Sequence, residues 1–405
     1  MKQPKPPLLL LVHRIPYPPN KGDKIRSFHL LKALSERYQV HLGCFYDDDF
    51  DQQYISSLQQ WCETVCCLRL SKWRAMLTGL TGFLSAKAVT LPYYYQRQMA
   101  AWVAATQQRY GIEKVLVYSS AMAQYVDSTH FATLTRVIDF VDIDSDKWRQ
   151  YASKSSGIKK WFYQREAHLL QQYELAICQR FNRSLFVSED EASAFRNLLT
   201  PELQPKVLSL LNGVDTDYFS PDASITLPEP SLPANFIVFT GAMDYWANVD
   251  AVCWFCQHVW PVLRRHQPDL QFWIVGGKPT ADVQALSQQA GVVVTGRVPD
   301  VRPYLAAARF AVAPMLIARG IQNKVLEAMA MNKAVVCSAM AMEGINAPRN
   351  ANTIVADGVE QFSKACLQLL SEQAAPTNRQ WILEHFTWPH TLAALPRLIE
   401  AEYPL

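Results

Sequence analysis

Short runs of apolar residues, unbroken by polar positions, recur along this chain with helix-length segments between them. They fall in two series. The first is "LLLLVH" (8–13), "VHLGCFY" (40–46), "VLVYS" (115–119), "RVIDFVD" (136–142) and "RSLFVS" (183–188). The second is "FIVFTG" (236–241), "QFWIVGG" (271–277), "VVVTGRV" (292–298), "FAVAP" (310–314) and "AVVCS" (334–338). A strand with one wet face alternates apolar and polar residues. These runs do not, which fits parallel strands covered on both faces. Segments of helical pattern, such as 27–38 and 249–266, lie between most of them. That alternation predicts an α/β architecture of two doubly wound, Rossmann-like domains. The 405 residues, 49% of them hydrophobic, suffice for two cores. Residues 211–235, rich in Pro, Asp and Ser, read as the link between the series. In doubly wound sheets ligands bind outside the carboxyl ends of the strands, so the residues that follow each run carry the chemistry.

A net charge of +3 gives no electrostatic reason to expect a nucleic-acid partner. The nine cysteines form no framework. "CETVCC" (62–67) and "CWFC" (253–256) lack a second pair at zinc spacing, so buried, reduced thiols and a cytoplasmic protein are expected. The opening "MKQPKPPLLLLVHRIPYPP" has an apolar stretch of only five residues before His13 and Arg14. It reads as a first β-strand rather than a signal peptide.

Four successive strand ends of the second series carry glycine or charge. Gly241 and Asp244 follow the first run, and Gly276 and Gly277 the second. Arg297 and Val298 follow the third, and "RGIQNKVLEAMA" (319–330) follows the fourth. Ordinary turn chemistry accounts for any one of these; together they suggest a ligand cleft. A helix N-terminus offers free N–H groups and a positive dipole end, which together suit phosphate. Gly320 would let backbone approach. Arg319 and Lys324 would add charge against a diphosphate, and Gln322 and Asn323 lie at the same helix start. Glu327, one turn deeper, suits the hydroxyls of a ribose or sugar. The alternative is an i,i+3 salt bridge from Lys324 to Glu327 on a wet face, which "VLEAMAM" argues against.

With "F-x-G", "VGG", "GRVPDVRPYLAAARFAVAPM" and "LEAMAMNKAVVCS" in order over 236–345, the second domain resembles the group 1 family of retaining GT-B glycosyltransferases. "HRIPYPPNKGDKIRSFHLLKAL", "DFVDIDSDKW", "VSEDEA" and "NGVDTDYFSP" resemble the branch found beside bacterial exopolysaccharide and PEP-CTERM/exosortase systems. The resemblance implies a GT-B fold. Residues 1–214 would be an acceptor-side domain, and 215–385 would bind a nucleotide-sugar donor. A C-terminal helix within 386–405 would cross back onto the first domain. It also implies sugar transfer to a saccharide, lipid-linked acceptor, with UDP or GDP as the nucleotide and no cofactor. Arg297 and Val298 would face the base. In the family two glutamates lie eight positions apart; Glu327 matches the second and Arg319 stands where the first would be. The family's cations after the first strand of this domain are also missing here.

In the first domain, Gly22, Asp23, Lys24 and Arg26, with Lys21, form a charged turn after the first run. It reads either as a loop near acceptor and donor phosphates or as a solvated basic turn. Asp142 falls where the family carries a histidine that touches the donor sugar, and it is the candidate catalytic carboxylate beside Glu327. Asp144 or Ser145 could instead cap the next helix. Asp142/Asp144 and Asp215/Asp217 spell a D-x-D pattern that occurs by chance, and no metal is expected. Two basic, aromatic stretches, 70–99 and 153–170, suit either a bilayer interface or packing on their own core. Both make peripheral contact with the cytoplasmic face of an inner membrane an expectation. A nucleotide-sugar epimerase and a non-catalytic sugar-nucleotide-binding partner remain as alternatives of the same fold.

Overall fold

The computed structural model describes residues 5–19, 22–71, 87–153, 155–222, 224–226, 232–317, 321–348, 350, 352–372 and 378–400. The chain divides into two compact α/β units. One comprises Met1–Leu211 with Leu392–Leu405, the other Asn212–Thr391.

The first unit holds a seven-stranded sheet in the order β3-β2-β1-β4-β5-β6-β7. Its strands are β1 (Pro7–Val12), β2 (Gln39–Tyr46), β3 (Thr64–Arg69), β4 (Lys114–Tyr118), β5 (Thr135–Val141), β6 (Arg183–Phe186) and β7 (Val207–Ser209). Every pairing is parallel. Leu8 to Val12 are at most 1% exposed, which is the covering of both faces that their unbroken apolarity requires. The second unit holds a six-stranded parallel sheet in the order β10-β9-β8-β11-β12-β13. These are β8 (Phe236–Thr240), β9 (Gln271–Val275), β10 (Val292–Gly296), β11 (Ala311–Ala313), β12 (Val335–Cys337) and β13 (Thr353–Val355).

Strand order reverses once in each sheet, between β1 and β4 and between β8 and β11. At such a point the two flanking connections leave in opposite directions and open a crevice at the carboxyl ends. Tight packing keeps the β8 and β9 ends together. The Gly241 amide donates to Val275 O (3.0 Å), and the Met243 amide to Gly277 O (2.9 Å). A Cβ on Gly276 would lie 1.6 Å from the Gly241 carbonyl oxygen, so only glycine fits there.

Several elements differ from the sequence expectation. Strands β3, β7 and β13 were not expected. They sit at or beside sheet edges, and β3 and β13 are only partly buried, so their apolar signal is weak. Cys66 and Cys67 belong to β3, and all nine cysteines are free thiols. The helix expected over 249–266 starts at Trp246 and passes through a π-turn, Phe255–Val259, before Trp260–His266. Pro261 supplies the reason, since its missing N–H breaks the regular ladder. The tail is not one helix. Trp388–Thr391 belongs to the second unit, with Trp388 packed where a Cβ on Gly213 would be and Val214 bridged to Thr387. Leu395–Glu400 belongs to the first, where Glu400 accepts from Tyr38 and pairs with Lys114, both at 2.5 Å.

Gly276→Ala is expected to destabilise the second unit by about 3 kcal/mol or more, because a backbone carbonyl has nowhere to retreat. The midpoint of urea unfolding measures this, and an unchanged midpoint would show that the Gly241 carbonyl can move aside.

Candidate functional site

In the second unit the helix Asn323–Ala330 begins beside the β8/β11 reversal. Gln322 is its N-cap in extended conformation, and Val325, Leu326, Ala328 and Met329 bury its apolar face. This places Lys324 and Glu327 on the remaining, partly covered face. The Lys324 ammonium lies over the Phe239 ring of β8, 5.4 Å from its centre. It also lies 3.8 Å from the Met315 sulfur, just past β11, and donates to Gln322 Oε1 at 3.2 Å. The hydrogen bond of the ammonium goes to Gln322 and not to Glu327, and the Glu327 carboxylate has no hydrogen-bond partner among the described residues. Burial pushes Glu327 up to about 7, with Lys324 opposing it. Burial likewise pulls Lys324 down to about 8, with Glu327 opposing it. A cation and a carboxyl, both costly to bury and not hydrogen-bonded to each other, therefore share the crevice where ligands bind in this type of sheet.

Gly241 and Gly276 form the adjoining floor. Asn248 is buried against Gly241, and its amide donates to Ala242 O (2.9 Å). Asp244 and Arg297 are exposed and Val298 is partly buried; the Arg297 backbone runs beside Gly277. Asn323 sits in the first turn of the helix, where its Oδ1 accepts a long contact from Asn212 (3.5 Å). Arg319, Gly320 and Lys21 lie outside the described residues, as do residues 72–86 of the 70–99 stretch.

The first unit corrects part of the charged-turn reading. Gly22 to Arg26 are the first residues of a helix, Gly22–Arg37. Lys24 and Arg26 are 1% exposed. Lys24 pairs with Asp51 at 2.7 Å, and Arg26 with Asp139 at 2.8 Å. Charges so buried must be paired within the protein, so neither cation faces a phosphate and the turn is not a solvated one. They pin the helix start to the segment that follows β2 and to β5 itself. Among the described charges of the set, Asp23 instead faces a cluster that sequence reading did not assemble. It accepts from Arg14 (2.6 Å) and faces His13 Nε2 (3.5 Å), while Arg14 also reaches Asp47 (3.3 Å). His13 lies parallel to Tyr118 and edge-on to Tyr94. Burial alone would raise Asp23, but the His13 hydrogen bond and the Arg14 charge outweigh it and hold the carboxyl well below the usual range. The cluster occupies the β1/β4 reversal. Its signal in the sequence was the polar pair His13–Arg14 directly after an apolar run.

Asp142 follows Val141, whose φ is 71°, at an irregularity in the β5/β6 register. It pairs with Lys147 at 3.0 Å, and Lys147 also meets Asp144 at 3.2 Å. Among the described residues no group of three or more His, Cys, Asp or Glu is placed to hold a metal ion. The helix that follows, Asp144–Ser153, is held by Glu174. Ser145 donates to that carboxyl from its amide (3.1 Å) and its hydroxyl (2.6 Å).

Residues 234–372 match the family model described as "Glycosyl transferases group 1". The chain is 20% identical over 364 residues, 86% of its length and 87% of the other's, to a Klebsiella pneumoniae protein described as an "Uncharacterized 44.6 kDa protein in cps region". Its fold is that of GT-B glycosyltransferase structures. The sucrose-phosphate synthase of Thermosynechococcus elongatus superposes with a TM-score of 0.72 at 16% identity, covering 98% of each chain. HepE of Anabaena, solved with UDP and glucose, superposes with a TM-score of 0.66 at 14% identity, covering 98% of this chain and all of that one (100%).

Burial, with Asp144 adding to it, pushes Glu174 up to about 8. A proton kept in the folded chain but lost at the ordinary carboxyl value in the unfolded one stabilises at low pH. That stabilisation is full below about pH 4 and is gone once the pH has risen past the folded value. The melting temperature is thus expected to fall as pH rises from about 5 to 8, and to fall less in Glu174→Gln. Parallel pH profiles for the two proteins would mean that Glu174 is already ionised in the fold.

Proposed function

We propose that this chain is a glycosyltransferase that moves a sugar from a nucleotide-sugar donor to a saccharide acceptor in bacterial surface-glycan assembly. The acceptor is lipid-linked and the anomeric configuration is retained. The observation that carries the reading is that Lys324 and Glu327 lie together, without a hydrogen bond between them, at the β8/β11 reversal of the second unit. Support comes from the group 1 match over the same segment, from the UDP and glucose named for the Anabaena structure, and from the cps-region description of the Klebsiella relative.

The chemistry follows from charge. The helix start and Lys324 stabilise a diphosphate, which gains negative charge as the sugar leaves. Glu327, near neutrality, is protonated part of the time. It therefore repels the diphosphate less than a fixed carboxylate would, and it can donate to a hydroxyl as well as accept from one. Gly241 and Gly276 pack the ends of β8 and β9 closely, and Arg297 and Val298, next to Gly277, stand ready for the base. In the first unit the acceptor meets Asp23, with Arg14 and His13 fixing its carboxylate, and Asp142 is the candidate catalytic carboxylate of that unit. No metal takes part.

The test is thermal stabilisation by UDP, GDP, ADP and dTDP, since a ligand that binds only the folded state raises the melting temperature. One nucleotide is expected to give a shift that Lys324→Ala abolishes. The shift should shrink as pH rises through about 8, where Lys324 loses its proton, by up to roughly tenfold in affinity per pH unit. Lys324→Arg should keep it. A shift indifferent to Lys324 would remove the donor from this helix. With donor and acceptor together, transfer is expected to survive EDTA. An epimerised donor formed without acceptor would instead identify an epimerase.

A further inference from the structure

The helix Gly157–Arg180 starts in an unusual way. Residues 156–161, "SGIKKW", are all exposed. A helix lying along a protein hides part of every 3.6-residue turn. Five successive exposed helical residues therefore mean that this first turn projects beyond the body of the unit. Ile158 is 86% exposed and Trp161 is 53% exposed, the two largest values for exposed large hydrophobics among the described residues. They are i,i+3 neighbours and share one face. The base beneath them is firm. Tyr163 packs on Trp148 (5.6 Å) and Tyr151 (5.8 Å), and Phe162 meets Trp148 (6.2 Å), locking this helix to Asp144–Ser153.

Charge identifies the occupant. From Lys147 to Arg165 the sequence has six cations and no carboxylate, in a chain whose 39 basic and 36 acidic residues nearly balance. Acids outside this run neutralise its flanks: Asp142 and Asp144 meet Lys147, Asp146 meets Arg149, and Glu166 meets Arg165. Lys159 and Lys160 are exposed beside Ile158 and form no ion pair among the described residues. A second copy of this chain or an ordinary protein partner would bury Ile158 and Trp161 but would leave these two ammonium groups to be matched by acids. A bilayer surface with anionic headgroups satisfies both at once, taking the apolar side chains into the interface and the lysines at phosphate level.

We propose that the projecting first turn of Gly157–Arg180 is a docking tip for an anionic phospholipid bilayer. Ile158 and Trp161 insert, and Lys159 and Lys160 meet the headgroups. The proposal does not use the transferase reading, although a lipid-linked acceptor would be met at such a surface.

The test is sedimentation of the full chain with vesicles of equimolar phosphatidylcholine and phosphatidylglycerol, and with phosphatidylcholine alone. The wild type is expected to pellet with the anionic vesicles and stay in the supernatant with the neutral ones. Lys159→Gln and Lys160→Gln should each weaken binding roughly fivefold. Ile158→Asp with Trp161→Asp should abolish it. All these side chains are exposed, so the melting temperature and its rise with nucleotide should be unchanged, and those readings separate a failed docking tip from a failed donor site. A wild type that does not pellet, or an Ile158/Trp161 variant that pellets like wild type, overturns the proposal. So does a wild-type dimer that this variant converts to monomer without any vesicle binding, which would make the tip an interface between copies.

Discussion

A parallel sheet whose strand order reverses leaves a gap at the carboxyl ends of its two central strands, and most of the chemistry of this chain is placed by that constraint. It occurs twice, between β1 and β4 and between β8 and β11. In the second unit the gap receives the start of the helix Asn323–Ala330, with the Lys324 ammonium reaching Phe239 on one side and Met315 on the other. In the first it receives the start of Gly22–Arg37, with Asp23 held by His13 and Arg14. Neither pair of polar groups is stable in a dry interior without a partner. Their presence in the gaps is what distinguishes the two sites from the apolar packing around them.

Buried charge is used in two different ways. Lys24–Asp51 and Arg26–Asp139 are paired and almost fully covered, and their effect is positional. Removing one partner would strand the other, at a cost of about 3–5 kcal/mol. Lys324 and Glu327 are displaced from their ordinary ionisation towards neutrality instead, and the Lys324 hydrogen bond goes to Gln322. A site whose ionisable groups are shifted towards neutrality by burial is one a charged ligand can engage.

The central strands were legible because burial on both faces forces uninterrupted apolar residues, as in Leu8–Val12 and Phe236–Phe239. The edge strands were not, since β3 is only half-buried and its residues stood out in the sequence as a cysteine cluster rather than as an apolar run. Lys324 and Glu327 could be named because a cation and an acid three apart on an apolar helix are conspicuous. Lys24 and Arg26 looked the same in the sequence, as charges after a strand. Their partners, Asp51 and Asp139, lie 27 and 113 residues away, and no local pattern reports a pairing at that distance. The cluster of His13, Arg14, Asp47, Tyr94 and Tyr118 was hidden for the same reason. Its members come from separate strand ends and loops that only the sheet order brings together.

The most direct measurement is a crystal structure of the chain with the nucleoside diphosphate that stabilises it. The diphosphate is expected at the start of Asn323–Ala330, between the ends of β8 and β11, within hydrogen-bond distance of the Lys324 ammonium, with Glu327 on a ribose or sugar hydroxyl. A nucleotide bound elsewhere, with Lys324 still donating to Gln322 and Glu327 untouched, would contradict the account and leave that pair as a feature of the core.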